Sequence, residues 1–272
     1  MNNELLINLK LTMESGQPPQ FIWNKEGGHY YRFFDGVKCV LFQENKLNYT
    51  PIFKDYIMEF LRSDDDLNKI YKKISTDTIL KKSIKIYNGL RITKNDPWET
   101  LVSFVCSINN NIPRISKNVQ SLMINGKILS PEQILKTDLR PLKLGYREKF
   151  LYKIGEMMPS YDLSTLGEMD YQEAKSTLME FPGVGNKVSD CILLFGYGFL
   201  EAFPLDVWMQ RAMKKYYGIS KPKEIDNYAK KNGENMQVML SNIFIVQYVV
   251  FSYLSKFNNH FKLDEVYSLS HI

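Results

Sequence analysis

The feature that most restricts the fold is a glycine-rich break between two helical patterns in the second half of the chain. Asp170 and Glu173 are typical of a helix start, and residues 174–181 continue with helical periodicity. Pro-Gly-Val-Gly at 182–185 interrupts this pattern, and residues 186–195 resume it with an apolar face. The sequence therefore predicts a helix-hairpin-helix motif at about 171–198.

The turn of this motif indicates what it could bind. Gly183 and Gly185, on either side of Val184, allow the backbone to approach an anion closely. The free amides at the start of the second helix would point toward the same anion, which makes the turn a candidate phosphate site. A turn that only connects two packed helices is an equally good interpretation of these four residues alone.

The first third of the chain has the patterns of an antiparallel sheet. Apolar and polar residues alternate from Leu5 to Leu11, which predicts a strand. Two runs of aromatic and β-branched residues, 29–34 and 37–43, are joined by Asp35-Gly36, a pair suited to a hairpin turn. Helices are expected to begin the next part of the chain, at about 53–61 and 66–74.

A change of pattern at Asp96 suggests a domain boundary. Asp96 can cap a helix whose first residue is Pro97, and nearly all the following sequence has helical periodicity. We therefore predict an α+β fold, with an N-terminal antiparallel-sheet domain at 1–94 and an all-helical domain at 95–272. The latter contains the helix-hairpin-helix motif.

Composition narrows the class of protein. Hydrophobic residues make up 44% of the 272 residues and charged residues 24%, values typical of a folded globular chain. The net charge of +5 permits a polyanionic partner without establishing one. The segment 1–10 lacks a signal-peptide pattern, and the longest apolar run is too short for a bilayer. We expect a soluble intracellular protein, cytoplasmic in a prokaryote or nuclear in a eukaryote.

The cysteines and histidines give no sign of a metal centre. Three widely separated cysteines exclude a four-cysteine iron–sulfur cluster and a CxxC zinc knuckle from one chain. The three histidines form no ligand pattern either. We expect no metal and no cofactor.

Two residues after the turn have the character of catalytic groups. Lys187 falls in the first turn of the second predicted helix, where the helix dipole disfavours a cation. Positive surroundings and desolvation lower the pKa of a lysine, and a neutral amine can attack a sugar carbon to form a Schiff base. Asp206 precedes the helical run 208–217, where it could cap the helix and also stabilise a cationic sugar. A phosphate-binding Lys187 and an Asp206 that only caps a helix are the alternatives.

The chain resembles the 8-oxoguanine DNA glycosylase family of the helix-hairpin-helix superfamily. The resemblance rests on PGVGNKVSDC at 182–191 and PLDVWMQR at 204–211, with Lys187 and Asp206 at the matching positions. NDPWETLVSFVCSINNNIPR at 95–114, LGYR at 144–147, SGQ at 15–17 and VQYVVF at 246–251 match further segments in order. It implies a bifunctional DNA repair enzyme that removes 8-oxoguanine opposite cytosine through a lysine Schiff base and then nicks the strand by β-elimination.

The resemblance also assigns roles to individual residues. Gly16, Cys191, Gln247 and Phe251 would form the pocket for the extruded base, with the Gly16 carbonyl accepting the N7 hydrogen of the lesion and Phe251 stacking on it. Asn109 would fill the gap in the duplex and Tyr146 would wedge beside it. Arg114 and Arg147 would read the opposite base. The partner implied is damaged double-stranded DNA, bound by a monomer.

Some positions depart from the family pattern, and two other functions compete with this one. The segment after SGQ is longer than usual with Ile22 in place of an arginine, Trp208 replaces a histidine, and Phe195 replaces a methionine. One rival is a monofunctional glycosylase for alkylated bases, which would not need Lys187. The other is a non-enzymatic helix-hairpin-helix DNA-binding protein, which would leave Lys187 and Asp206 without a joint role.

Overall fold

A computed structural model of the chain describes residues 5–232, with a small sheet followed mainly by helices. In chain order the strands are β1 (Asn24–Glu26), β2 (His29–Phe34), β3 (Val37–Gln43), β4 (Leu47–Tyr49), β5 (Met123–Ile124) and β6 (Lys127–Ile128). The helices of the first third are α1 (Leu9–Met13), α2 (Pro19–Ile22), α3 (Lys54–Phe60), α4 (Leu67–Ile74) and α5 (Thr78–Ile86). The later helices are α6 (Pro97–Ser107), α7 (Ile112–Ser121), α8 (Pro131–Lys136), α9 (Arg147–Met157), α10 (Tyr171–Leu178), α11 (Asn186–Ile192), α12 (Val207–Tyr217) and α13 (Pro222–Asn232). The α+β fold class is confirmed.

The N-terminal sheet is antiparallel, with its strands in the order β1-β2-β3-β4. Asp35 and Gly36 form the predicted turn between β2 and β3, and both have positive φ angles, of 49° and 83°. Strand β2 pairs with β3 from Tyr30↔Leu41 to Phe34↔Val37. The predicted hairpin is therefore confirmed in both strands and in its turn.

The predicted strand at Leu5 to Leu11 is wrong. Residues 5–8 belong to no regular element, and Leu9 begins helix α1. The Asn8 side chain accepts a hydrogen bond from the backbone N–H of Leu11 and so caps this helix. The apolar residues alternate because an extended stretch is followed by one helical turn, and each of the two buries some of these apolar side chains.

The sheet is tied to the helices by a buried ion pair. Arg32 of β2 donates two hydrogen bonds to the carboxylate of Glu99 in α6, at 2.8 and 3.0 Å. Both side chains are less than a tenth exposed, and a third bond from Arg32 reaches the carbonyl of Gly126. One hydrophobic core contains Leu41 of the sheet together with Leu101 of α6 and Ile192 of α11. The apolar core is thus continuous across residue 94, and the predicted domain boundary there stays a prediction.

A second, smaller core joins four helices from both ends of the described chain. It contains Ile74 of α4, Leu80 of α5, Met209 and Met213 of α12, and Ile225 of α13. These helices have amphipathic sequences, so burying their apolar faces together leaves their charged faces in solvent. No helix in the described range 5–232 is long and apolar enough to cross a membrane.

Candidate active site

The predicted helix-hairpin-helix is present as α10, a tight turn and α11. Gly183 in the turn has a φ angle of +82°, and a Cβ there would lie 2.7 Å from the ring of Phe150. Glycine at 183 is therefore required by both backbone conformation and space. Gly185 is the N-cap of α11 and provides no capping side chain, while Val184 is buried beneath the turn. This leaves the first amides of α11 without a side-chain cap, facing an exposed turn.

Helix α11 is shorter than predicted, because its hydrogen bonding changes after Ile192. Residues Leu193–Tyr197 form a π-helical turn in place of the predicted α-helix, and Gly198 ends it with a φ angle of 83°. π-helical turns are often found at functional sites. Here the turn carries Phe195, whose side chain stacks on Phe104 with ring centroids 5.7 Å apart.

A cavity of about 110 Å³ lies at the start of α11 and brings four predicted site residues together. Lys187, Cys191, Asp206 and Gly16 all line it. The remaining lining residues are Phe21, Phe104, Ser107, Asn110, Ile112, Ile115, Phe195, Pro204 and Met209. A mainly apolar wall therefore surrounds one lysine and one carboxylate, an arrangement typical of small-molecule or base pockets.

Lys187 lies in the first turn of α11 and is half-buried. Its Nζ atom is 5.3 Å from the centroid of the Phe104 ring, within the range of a cation–π contact. Cys191 follows one turn later on the same face of the helix and is 3% exposed. Burial raises the pKa of the Cys191 thiol to about 11, against the opposing effect of Lys187. The thiol is therefore neutral at physiological pH, and Lys187 is the candidate nucleophile of the two.

Asp206 is the N-cap of α12, as predicted. Its Oδ1 atom accepts a hydrogen bond of 2.7 Å from the backbone N–H of Met209. The residue is half-buried and lines the cavity. Capping fixes the carboxylate at the pocket wall. Capping and a catalytic role are thus compatible in the same geometry.

A polar cluster beneath the hairpin holds α10 and α11 together. Asp190 of α11 is 4% exposed and accepts a hydrogen bond of 2.5 Å from the Tyr171 hydroxyl. Lys175 of α10 forms an ion pair with the same carboxylate, with Nζ and Oδ1 2.7 Å apart. A buried carboxylate with two such partners fixes the relative position of the two helices, and through α11 that of Lys187.

Gly16 is held at the cavity by its neighbour Gln17, a residue that the sequence analysis did not single out. The Gln17 amide is fully buried and donates hydrogen bonds to the Arg91 carbonyl and the Thr12 carbonyl. Its carbonyl oxygen accepts hydrogen bonds from the backbone and side chain of Thr93. Gly16 itself has a φ angle of +79°. The loop at 15–17 is thus fixed against the segment that precedes α6.

The three consecutive asparagines have three different positions. Asn109 is exposed with a φ angle of +45°, and its side-chain amide donates a hydrogen bond of 3.1 Å to the Tyr146 hydroxyl. Asn110 lines the cavity and donates hydrogen bonds to the Cys106 carbonyl and to Asn118. Asn111 caps α7. Asn109 is exposed and has a strained backbone conformation, and both features fit a residue that contacts a bound molecule.

Arg147 braces the loop that carries Asn109. The residue is 7% exposed, and its guanidinium donates hydrogen bonds to the carbonyls of Ile108, Asn109 and Leu144. It also lies over the ring of Tyr146, 4.8 Å from the centroid. Four of the five guanidinium N–H groups are thereby engaged, which leaves one on Nη1.

Arg114 and Tyr146 are by contrast open to solvent. The Arg114 side chain is exposed and forms no hydrogen bond or ion pair with the described part of the chain, 5–232. Tyr146 is 45% exposed and stands edge-on to Phe150, with centroids 5.6 Å apart. Asn109, Tyr146 and Arg147 are in mutual contact, and the loop that carries Asn109 leads directly to Arg114.

Comparison with known proteins identifies the family. The model of the 8-oxoguanine DNA glycosylase N-terminal domain matches residues 2–101. The N-glycosylase/DNA lyase of Saccharomyces cerevisiae is 30% identical in an alignment that covers 80% of this chain and 70% of that protein. The chain belongs to the 8-oxoguanine DNA glycosylase family.

Solved structures of this glycosylase family agree in fold. The structure of MBOgg1 in complex with a low-affinity DNA ligand has a TM-score of 0.79 at 30% identity, with 88% of this chain and 91% of that one covered. The Clostridium acetobutylicum 8-oxoguanine glycosylase/lyase, in complex with double-stranded DNA containing cytosine opposite 8-oxoG, has a TM-score of 0.78 at 25% identity, and 93% of each chain is covered.

Two site residues predicted from the sequence lie outside the described range, and several residues that line the cavity were not predicted. Gln247 and Phe251 fall beyond residue 232, outside the described residues. The pocket residues Phe104, Asn110 and Met209 were not predicted. Asn110 sits beside Asn109 in the asparagine triplet, a signal that could have included it. Phe104 and Met209 have only ordinary helical periodicity, which indicates burial and does not tell a pocket wall from a core.

Proposed function

We propose that this chain removes 8-oxoguanine from duplex DNA with Lys187 as nucleophile, and then cleaves the strand at the resulting site. The observation that supports this most directly is the cavity in which Lys187 and Asp206 face the same space, between Cys191 and Gly16. A lysine and a carboxylate in an apolar pocket large enough for part of a flipped base suit nucleophilic displacement at a sugar carbon.

The reaction has two bond-breaking steps. The neutral Lys187 amine attacks C1′ of the deoxyribose, the bond from C1′ to the base nitrogen breaks, and the base leaves with that electron pair and acquires a proton. The sugar ring then opens to give a protonated Schiff base. Loss of a C2′ proton drives elimination of the 3′ phosphate, which nicks the strand. The Asp206 carboxylate stabilises the positive charge that develops on the sugar and on the Schiff base.

We assign recognition of the lesion to the part of the pocket wall that contains Gly16. We infer that the Gly16 carbonyl accepts the N7 hydrogen of 8-oxoguanine, which guanine lacks. The buried Gln17 amide fixes the loop that presents this carbonyl. One such hydrogen bond contributes about 1 to 3 kcal/mol to discrimination. Cys191 lines the other wall, and Gln247 and Phe251 are proposed to read and stack on the base.

Binding of the duplex is assigned to the turn and to the Asn109 loop. The amides after Gly183, Val184 and Gly185 are proposed to hold a backbone phosphate. Asn109 would occupy the space vacated by the flipped base, with Tyr146 wedged beside it. We infer that a single copy of the chain acts in this way on DNA inside the cell.

Two arginines are proposed to read the base opposite the lesion. Both can donate to the O2 and N3 acceptors of an unpaired cytosine, an acceptor pair that adenine lacks. The exposed Arg114 has its whole side chain available for this contact. Arg147 has one N–H left after it braces the loop, so Arg114 should be the principal reader.

The two rival functions make different use of Lys187. A monofunctional glycosylase activates water and does not need an amine in its pocket, and a DNA-binding module needs no pocket at all. Lys187 points into the cavity shared with Asp206 and lies above the Phe104 ring. This position favours the lysine mechanism over both alternatives.

Borohydride trapping tests the proposal directly. Duplexes with single 8-oxoguanine, alkylated or undamaged bases are incubated with the protein and sodium borohydride, which reduces a Schiff base to a stable cross-link. We expect a cross-link with 8-oxoguanine that maps to Lys187 by peptide mass spectrometry. Excision of an alkylated base without any cross-link would instead establish the monofunctional rival. Binding without excision of any base would establish the DNA-binding module.

A further inference from the structure

The net charge of the protein is concentrated on two neighbouring helices. Helices α4 and α5, with the residues between them, span 67–86 and contain six lysines and one aspartate. The lysines are Lys69, Lys72, Lys73, Lys81, Lys82 and Lys85. Their excess of five positive charges equals the formal net charge of +5 of the whole chain. All other residues together are electrically balanced.

The six lysines form one exposed surface, which we call the lysine face. Each lysine is exposed, and none forms an ion pair with the part of the chain between residues 5 and 232. The apolar sides of α4 and α5, with Leu67, Ile74 and Leu80, are buried on the other side. The amphipathic pattern thus aims all six ammonium groups at solvent.

Most of the carboxylates close to the lysine face cap a helix or form an ion pair. Asp77 caps α5 by accepting hydrogen bonds from the amides of Ile79 and Leu80. At the start of α4, Asp66 caps the helix and Asp65 is paired with Arg62. Of this group only Asp64 is both exposed and uncommitted to a cap or an ion pair within the described residues. These carboxylates lie at the starts of the two helices, and within the described residues none of them forms an ion pair with a lysine of the face.

The lysine face stands behind one wall of the catalytic cavity. Met209 of α12 lines the cavity and belongs to the small core that also contains Ile74 and Leu80. Because one core layer separates this cavity wall from the lysine face, we take their separation as roughly two helix diameters, about 20 Å. Along a duplex that runs past both places, with a rise of about 3.4 Å per base pair, this separation corresponds to about six base pairs.

We propose that the lysine face binds backbone phosphates of the same duplex, about six or more base pairs from the extruded base. The inference rests on the proposed function for the presence of DNA in the pocket. Lysines act as flexible point charges, which suits contact with phosphates regardless of sequence. Such a contact raises affinity for long duplexes and leaves the chemical step unchanged.

The test compares two triple variants on two lengths of DNA. Lys81→Gln, Lys82→Gln and Lys85→Gln together remove half of the lysine face. The control, Lys46→Gln, Lys54→Gln and Lys136→Gln, removes the same charge from exposed lysines in three separate parts of the chain. Affinity for 8-oxoguanine duplexes of about 11 and about 31 base pairs, lesion at the centre, is measured across a range of salt concentrations.

We expect the face variant to bind the long duplex more weakly, with a salt dependence of log K shallower by about 0.9 for each phosphate that the lysines no longer neutralise. The short duplex should bind the face variant and the control alike. Equal decreases in affinity of both variants for the long duplex would show only an effect of net charge and would overturn the proposal. A decrease for the face variant that is the same on both duplexes would also overturn it.

Single-turnover excision at saturating protein separates this proposal from the proposed function. We expect the face variant to excise at the wild-type rate once DNA is saturated, because no lysine of the face lines the cavity. If wild-type protein excises no base, the proposed function fails, and the binding comparison still decides whether the lysine face contacts DNA. A slowed rate at saturation would contradict a role confined to binding.

Discussion

The two sides of the site are built in different ways. On the pocket side, Lys187 and Asp206 are positioned by helix termini: one lies in the first turn of α11 and the other caps α12. On the loop side, Asn109 has a left-handed conformation, and its loop is held by hydrogen bonds to the Arg147 guanidinium and to the Tyr146 hydroxyl. The positions of the proposed catalytic residues thus depend on regular backbone, and those of the residues proposed to read the duplex depend on a braced loop.

This difference predicts that chemistry and reading can be separated by mutation. The body of each helix and its packing hold these termini in place when a side chain is replaced conservatively. A loop braced mainly by one guanidinium changes its conformation when that group is removed. Variants on the pocket side should therefore slow excision equally opposite every base. On the loop side, removal of a base-reading side chain should change the preference between opposite bases, and removal of the bracing Arg147 should displace the loop and slow excision in general.

The largest effect is expected for Lys187→Gln. The amide cannot form a Schiff base, so excision should fall by at least about 1,000-fold and trapping should disappear. Binding to lesion DNA should be retained, because the hairpin glycines are unchanged. Single-turnover excision, trapping and affinity are measured on the same preparation, with Lys153→Gln, an exposed lysine of α9 that does not line the cavity, as the control. Excision by Lys187→Gln at the wild-type rate would exclude Lys187 as the nucleophile.

A smaller reduction in rate is expected for Asp206→Asn. The asparagine retains the capping bond to Met209 and removes the charge, so the protein should keep its thermal stability and excise about 100-fold more slowly. The slowing should be equal opposite all four bases, as expected for the pocket side. A wild-type rate would reduce Asp206 to a helix cap, and a large drop in melting temperature would show that the charge mainly serves stability.

The local features of the site could be predicted from sequence, and the long-range ones could not. The Gly183 turn, the Asp206 cap and the Asp35-Gly36 hairpin depend on neighbouring residues, and all three are present. Gln17 and Met209 owe their positions to partners far away in the chain, at Thr93 and in the second core. The strand prediction at 5–11 failed because apolar alternation is also compatible with an extended stretch that enters a capped helix.

A moderate effect on specificity is expected from Arg114→Ala. Removing the exposed guanidinium should reduce the preference for cytosine over adenine by about tenfold, since one bidentate base contact is worth about 1 to 3 kcal/mol. Arg147→Ala should instead slow excision opposite every base, because the Asn109 carbonyl loses its bond from Arg147 and the Ile108 carbonyl keeps only the bond from the Tyr146 hydroxyl. Rates are measured opposite all four bases.

The reverse pattern would change the assignment of the two arginines. Uniform slowing by Arg114→Ala would make Arg114 a phosphate contact. Loss of cytosine preference in Arg147→Ala alone would make Arg147 the principal reader. A wild-type protein without any preference for cytosine would exclude base reading by either arginine.

The smallest effect concerns the pH dependence of Cys191, which tests whether its thiol is buried in the pocket wall. Burial raises the pKa of this thiol to about 11, above the value of about 8.5 for an unfolded cysteine. The folded state therefore holds its proton where the unfolded state releases it, so this group stabilises the fold below pH 8.5 and that contribution disappears as pH rises toward about 11. Cys191→Ala should show a weaker decline of unfolding free energy over this range than the wild type.

Cys191→Ala should also leave excision at neutral pH within about threefold of wild type, because a neutral thiol is a poor nucleophile. Iodoacetamide labelling followed by mass spectrometry checks the burial of the thiol, and rapid labelling of Cys191 in the folded protein at pH 8 would contradict it.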